Sequence, residues 1–176
     1  MRAVVQRVRR ARVAVESRED AVSGSSASDG DAEPDPSSRV TDEVGPGFCV
    51  LLSVGPDDSE ATADHLAERI ARLRVCPDAD GKMNVDLHQS GGSVLVVSQF
   101  TLHADASHGH RPSFVGAASP ERARRLCDRF SSALERLGLT VACGEFGAHM
   151  LVELVNDGPV TLVLSSGEGP WQADAG

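Results

Sequence analysis

Apolar and polar residues alternate along 3–15 (Ala-Val-Val-Gln-Arg-Val-Arg-Arg-Ala-Arg-Val-Ala-Val). Val4, Gln6 and Val8 fall on one parity, and Val13 and Val15 on the other. Period two with β-branched residues predicts a strand carrying a bulge or turn near Arg9–Arg10. Residues 48–54 are apolar and β-prone, as in a central strand. A helix is predicted next, capped by Asp57, Asp58 or Ser59, with arginines in its last turn and a stripe of Ala63, Leu66, Ala67, Ile70 and Leu73. Residues 76–92 read as turn-rich. Residues 93–100 hold Val94, Leu95, Val96 and Val97 in series, the pattern of a strand covered on both faces. Ser119 and Pro120 open a second helix with the stripe Ala123, Leu126, Cys127, Phe130, Leu134 and Leu137, and Gly138 ends it. Residues 140–146, 150–155 and 160–164 read as three closing strands. The predicted order is β, β, α, β, α, β, β, β, a mixed α/β single domain over 1–165.

Two segments break the pattern. Residues 17–43 are rich in Ser, Asp, Gly and Ala and almost free of apolar side chains. Such a segment cannot bury enough surface to offset its ordering entropy, and it reads as a disordered insertion in a hairpin. Residues 166–176 read as a flexible tail. Charge is divided the same way. The chain of 176 residues carries −9; 1–16 is net +4, 17–43 is net −6, and without that insertion the chain stands at −3. A broad electrostatic grip on phosphates is therefore not expected, and nucleic-acid binding should depend weakly on salt.

The longest unbroken apolar run is Phe48 to Leu52, far short of the ~18 residues of a membrane span. No apolar signal-peptide core follows the basic start. The four cysteines (49, 76, 127, 143) form no CxxC pair, and Cys49 and Cys127 sit in apolar patterns. A reduced, cytoplasmic compartment fits this usage best.

Four segments could carry chemistry. Ser98-Gln99-Phe100-Thr101-Leu102 ends a buried strand, where side chains and amides become available, although Ser and Thr there can equally make local bonds. His103, Asp105, His108 and His110 hold imidazole and carboxylate groups of the kind that bind zinc, but on a polar loop where solvated histidines are the commoner outcome. Asn156-Asp157-Gly158-Pro159-Val160-Thr161 is rich in turn residues and reads as a β-turn between two strands. Phe146-Gly147-Ala148-His149-Met150 allows close backbone approach at Gly147, or a plain glycine bulge. The chain has no Gly-x-Ser-x-Gly nucleophile elbow, and Ser53 reads as part of a strand.

Six segments together are more specific than any one. Met1-Arg-Ala-Val-Val-Gln-Arg-Val, Gly81-Lys-Met-Asn84, Ser98-Gln-Phe-Thr-Leu102, Arg111-Pro-Ser-Phe114, Phe146-Gly-Ala-x-Met150 and Asn156-Asp-Gly-Pro-Val-Thr161 resemble, in order, the D-aminoacyl-tRNA deacylase family. The resemblance covers 1–16 and about 44–165. It implies a mostly antiparallel sheet or partial barrel with two main helices, in a cytoplasmic homodimer without metal or cofactor. It implies tRNA as partner, and neither DNA nor a membrane. The activity implied is hydrolysis of the ester joining a D-amino acid to the 3′-terminal adenosine of tRNA, and removal of glycine from tRNA(Ala).

Carried over, Gly158 and Pro159 would form a cis peptide inserted into the partner's pocket, its carbonyls facing the substrate α-amino group. An L side chain would collide with that wall. Ser98, Gln99, Phe100 and Thr101 would line the pocket and carry catalysis, with the Phe100 and Thr101 amides as an oxyanion site. The terminal ribose 2′-OH would activate the water, leaving Thr101 a position rather than a nucleophile. Phe146, Gly147, Ala148 and Met150 would shape the adenosine end, and Arg7 would hold the Gly-Pro element. Two departures stand out: His103 where the family commonly has Tyr, and Ala106–His110 where it has Lys or Arg. Two rivals remain, a non-catalytic RNA-binding module of this fold and a small-ester hydrolase using Ser98 or Thr101.

Overall fold

In a computed structural model, residues 1–15 and 39–166 are described. The strands are β1 (Arg2–Val15), β2 (Arg39–Val44), β3 (Gly47–Ser53), β4 (Cys76–Pro77), β5 (Met83–Val85), β6 (Ser93–Ser98), β7 (Thr140–Cys143) and β8 (Met150–Ser165). The helices are α1 (Glu60–Ala71), α2 (Leu87–Ser90) and α3 (Pro120–Arg136), and a 3-10 turn spans Phe100–His103.

β1 organises the sheet. One of its edges runs antiparallel to β8 along its length. The other is shared, with β3 on residues 2–8 and β2 on residues 11–15. β3 continues to β6 and β7 in parallel, through the crossovers that contain α1 and α3. The interruption expected near Arg9–Arg10 is a pair of register slips against β8, between Gln6 and Val8 and between Val8 and Arg10. They have a packing consequence. Before them, Ala3 and Val5 point into the core shared with the helices; Val8, between them, and Ala11 and Val13, after them, point into a second core. A bulge changes which face a strand buries, and here it passes one strand from one core to the other.

β3 and β6 are covered on both sides, as their unbroken apolar runs predict. Phe48, Val50, Leu52, Val94 and Val96 meet Leu66, Ile70, Leu126, Phe130 and Leu134 of α1 and α3. Cys49, Leu95 and Val97 fill the inner face with Val44 and Ala142. Burying each large aliphatic or aromatic side chain contributes about 1.5–3 kcal/mol. The sheet curls until β2 approaches β7, where the Cys143 amide donates to the Asp42 carboxylate at 3.3 Å. The result is the partial barrel with two main helices that the resemblance implies.

The structure redraws several boundaries. β2 takes in residues 39–43 of the acidic segment, because β1 offers a free edge to Arg39–Val44; the rest of that insertion and nearly all of the tail lie outside the described residues. The stretch 76–92 contains the β4–β5 pair and a single turn of helix capped by Asp86. The strand expected over 140–146 stops at Cys143. Residues 150–164 form one strand, not two with a turn between them. Asp157–Val160 leave the ladder opposite the single residue Arg7, since Gln6 pairs with Thr161 and Val8 with Asn156. The turn residues there make a wide bulge whose ends stay in register. α1 begins in a capping box made by Ser59 and Thr62. Ser119 precedes α3 without a side-chain cap bond, and Pro120 supplies the start.

The chain start is tied down by Asp58. The Met1 ammonium donates to Asp58 Oδ1 and to Ser166 Oγ, while the Gly55 amide donates to Asp58 Oδ2 at 2.7 Å. Removing the carboxylate leaves a buried ammonium without its counter-charge, held only by the Ser166 hydroxyl. Asp58→Ala should therefore destabilise the fold by about 3 kcal/mol in urea titrations; a change below about 1 kcal/mol would show that the ammonium finds water instead.

Candidate active site

β3 and β6 end side by side, and their carboxyl ends open a cavity of about 740 Å³. Ligand sites in parallel sheets form at this end because the connections diverge there. β6 is terminated by the Gln99 amide, which donates to Leu52 O at 2.7 Å. The chain then winds into the 3-10 turn, whose first amides have no partner within the turn. Ser98, Gln99 and Phe100 form one wall of the cavity. The Phe100 ring is largely exposed and meets the edge of Phe114, with centroids 5.2 Å apart at 72°. This apolar pair stands at the mouth.

The opposite wall is the β7–β8 connection, with Phe146, Gly147, Ala148 and Met150. Gly147 has φ +80°, a left-handed conformation that glycine adopts at no steric cost. Arg124 of α3 covers Phe146, its guanidinium 4.9 Å from the ring centroid and its Nη2 donating to Phe146 O at 3.2 Å. Ala117, Ala118 and Ala123 close the third side.

The cavity thus gathers Ser98, Gln99 and Phe100 with Phe146, Gly147, Ala148 and Met150, separated by about fifty residues of sequence. Thr101 is not among its lining residues; the 3-10 turn carries it to the next position along. Gly158, Pro159 and Arg7 are elsewhere, at the β8 bulge. The Gly158–Pro159 peptide is cis, and both residues are exposed. Arg7 Nε donates to Asp157 O at 3.0 Å, and Arg7 Nη1 donates to Val75 O. Asn156 closes the bulge from the other side: its Oδ1 accepts from the Val160 amide at 2.9 Å, and its Nδ2 donates to Thr161 Oγ1 at 3.1 Å. Arg7 lies beside the Gly-Pro element.

The sequence motifs include Phe114 without giving it a place in the site, Ser53 reads there only as a strand residue, and the α3 wall goes unmarked. The run Gly116-Ala117-Ala118 before Ser119-Pro120 was the available signal, since small residues permit close approach. Cys127 also lines the cavity, but burial pushes its thiol up to about 12, which removes it as a nucleophile at neutral pH. His103 does not join Asp105, His108 and His110. Its Nδ1 is 2.6 Å from Ser53 Oγ, and the Asp105 carboxylate instead takes the Ser107 amide at 2.9 Å and the Ser107 hydroxyl at 2.6 Å. Among the described residues no group of three or more His, Cys, Asp or Glu is placed to hold a metal.

The family described as D-Tyr-tRNA(Tyr) deacylase matches residues 4–165. The chain belongs to that family. It is 51% identical to a D-aminoacyl-tRNA deacylase of Deinococcus radiodurans, over 93% of this chain and 99% of that protein. It is 48% identical to one of Symbiobacterium thermophilum, over 94% and 96%. Among solved structures it is similar to a c-Myc DNA Unwinding Element Binding Protein, with TM-score 0.78 and 32% identity over 96% of this chain and 100% of that one. A probable eukaryotic D-amino acid tRNA deacylase shares the fold at TM-score 0.71 and 14% identity, over 93% and 97%.

Proposed function

We propose that this family member is a chiral editing hydrolase that acts in the cytoplasm as a homodimer. It releases D-amino acids from tRNA, and glycine from tRNA(Ala), without a metal or cofactor. The observation that carries this reading is the single cavity that joins the Ser98–Phe100 wall to the Phe146–Met150 wall. Membership of the deacylase family supports placing the chemistry in this cavity.

The aminoacyl ester enters with its adenosine against Phe146, Gly147, Ala148 and Met150. Water attacks the ester carbonyl, and the ribose 2′-OH takes part in moving its proton. The oxyanion forms against the Phe100 and Thr101 amides. The C–O bond then breaks, the ribose 3′-oxygen leaves with a proton, and the free amino acid departs. Ser98 and Gln99 orient the ester from the same wall.

Chirality comes from a second copy of the chain. Gly158 and Pro159 are exposed and off the cavity of their own subunit, so reaching a cavity requires a partner. Before the bulge, the exposed parity of β8 also carries Leu151 and Val155, apolar groups suited to such an interface. In the partner's cavity the Gly158 and Pro159 carbonyls receive the α-amino group. An L side chain meets this wall, whereas hydrogen or a D side chain points away, so glycine passes too.

D-Tyr-tRNA and Gly-tRNA(Ala) should both yield free amino acid and intact tRNA. Binding without release would support the RNA-binding module, and equally fast cleavage of simple amino-acid esters would support the small-ester hydrolase. Thr101→Ala should keep kcat within about tenfold of the parent, because no covalent step uses the hydroxyl. A loss of about 10⁴-fold would make Thr101 the nucleophile.

A further inference from the structure

His103 and Ser53 form a pair that the mechanism above does not use. Ser53 ends β3, is 2% exposed and sits in the cavity wall. Its Oγ lies 2.6 Å from His103 Nδ1 and 3.5 Å from Phe100 O. Phe100 and His103 are the first and last residues of the 3-10 turn. The one hydroxyl thus touches both ends of the turn that presents the Phe100 and Thr101 amides. A second tie comes from β1, where Arg2 Nη1 donates to Leu102 O at 2.8 Å.

We propose that His103 is a positioning residue for deacylation: its neutral ring holds the Ser53 hydroxyl and so fixes the turn that forms the cavity wall. The inference rests on the deacylase reading of that cavity.

The charges around the ring decide which protonation state fits. From the start of β1 it faces Arg2 and the Met1 ammonium. From the loop before α1 it faces Asp58; an added Cβ on Gly55 would lie 3.2 Å from His103 Nε2 and 3.3 Å from Asp58 Oδ2. From α3, Arg122 Nη2 donates to Asp58 O. Asp58 is the one carboxylate in this group, and both its oxygens are engaged, Oδ1 by Met1 and Oδ2 by Gly55. In either neutral tautomer the Ser53–His103 bond forms with one proton, which sits on Oγ or on Nδ1. A second ring proton puts another positive charge beside the Arg2 guanidinium and the Met1 ammonium, which the Asp58 carboxylate, already bonded to Met1 and Gly55, offsets only in part. The imidazolium is driven toward solvent and the turn loses its anchor.

Burial, and after it Arg2 and the Met1 ammonium, hold the His103 pKa below the ordinary histidine value. The stability drawn from the neutral ring is therefore complete above about pH 6.5 and falls away as pH drops toward the lowered native value. The positioning itself is lost as pH passes that native value.

The test is kcat/KM for D-Tyr-tRNA from about pH 5 to about pH 8, with His103→Asn and His103→Ala beside the parent. The parent should show an acid limb. His103→Asn offers Ser53 an amide without a titrating ring and should flatten that limb. His103→Ala should lose about tenfold or more at the upper pH. An acid limb that persists unchanged in His103→Asn belongs to the substrate amine and overturns the proposal. Amide NMR gives a readout independent of activity. As His103 titrates, the Phe100 and Thr101 resonances should move with it in the parent, and should stop doing so in Ser53→Ala. If these amides ignore the titration, the positioning role is wrong even in an active enzyme. If they follow it in a protein that leaves D-Tyr-tRNA intact, the deacylase reading fails and the coupling stands.

Discussion

Gly158→Ala should lower kcat/KM for D-Tyr-tRNA about 100-fold while the protein remains folded. Gly158 has φ +140°, a conformation that L side chains rarely adopt. A Cβ there would lie 2.8 Å from Val160 Cγ2, 2.9 Å from the Val160 amide nitrogen and 3.3 Å from Arg7 Nη2. Val160 is β-branched and its amide is bonded to Asn156, so neither can retreat cheaply. The bulge must shift, and with it the two carbonyls proposed to face the substrate amine in the partner's cavity. The site is exposed, so the stability cost stays at about 1–2 kcal/mol. A mixture checks the cross-subunit element. Combining Gly158→Ala with the inactive, cavity-filling variant Ala148→Trp allows mixed dimers with one intact composite site. Activity should recover to about a quarter of the parent level after subunit exchange. Activity no greater than the sum of the two variants would place Gly158 and the cavity in one subunit.

Gly47→Ala should have the largest effect on stability. Gly47 starts β3 opposite Ser93 of the parallel neighbour β6. With φ +153°, its missing Cβ points at backbone: into Ser93 O, and 2.6 Å from Ser93 N and 2.8 Å from Ser93 C. No side-chain rotation relieves such contacts, so the strands must part where the parallel sheet begins. The cost should exceed about 3 kcal/mol, with a fall of roughly 10 °C in Tm. A Tm within about 2 °C of the parent would mean that β3 can slide without loss.

The helices and inner strands were legible in the sequence because one physical signal dominates each. The stripe through Leu126, Phe130 and Leu134 can only bury as a helix, and Val94–Val97 suits only a strand covered on both faces. Asn156–Thr161 misled because turn residues also build bulges. What keeps the strand continuous is pairing of β1 on both sides of Arg7, a long-range contact that local composition does not encode. β2 was hidden for a related reason: Arg39–Val44 has little strand character of its own and is fixed by the edge that β1 leaves open. In the site, the resemblance marked both main walls, which meet in one cavity. In the sequence Ser53 looks like an ordinary strand residue, and its partner His103 like one of a cluster of metal-binding side chains. Only the fold brings the end of β3 against the 3-10 turn.

The most direct measurement compares kcat/KM for D-Tyr-tRNA and L-Tyr-tRNA on the same tRNA. Exclusion of the L side chain by a fixed carbonyl wall predicts D:L discrimination of at least about 10³. Comparable rates on the two esters would contradict the chiral mechanism.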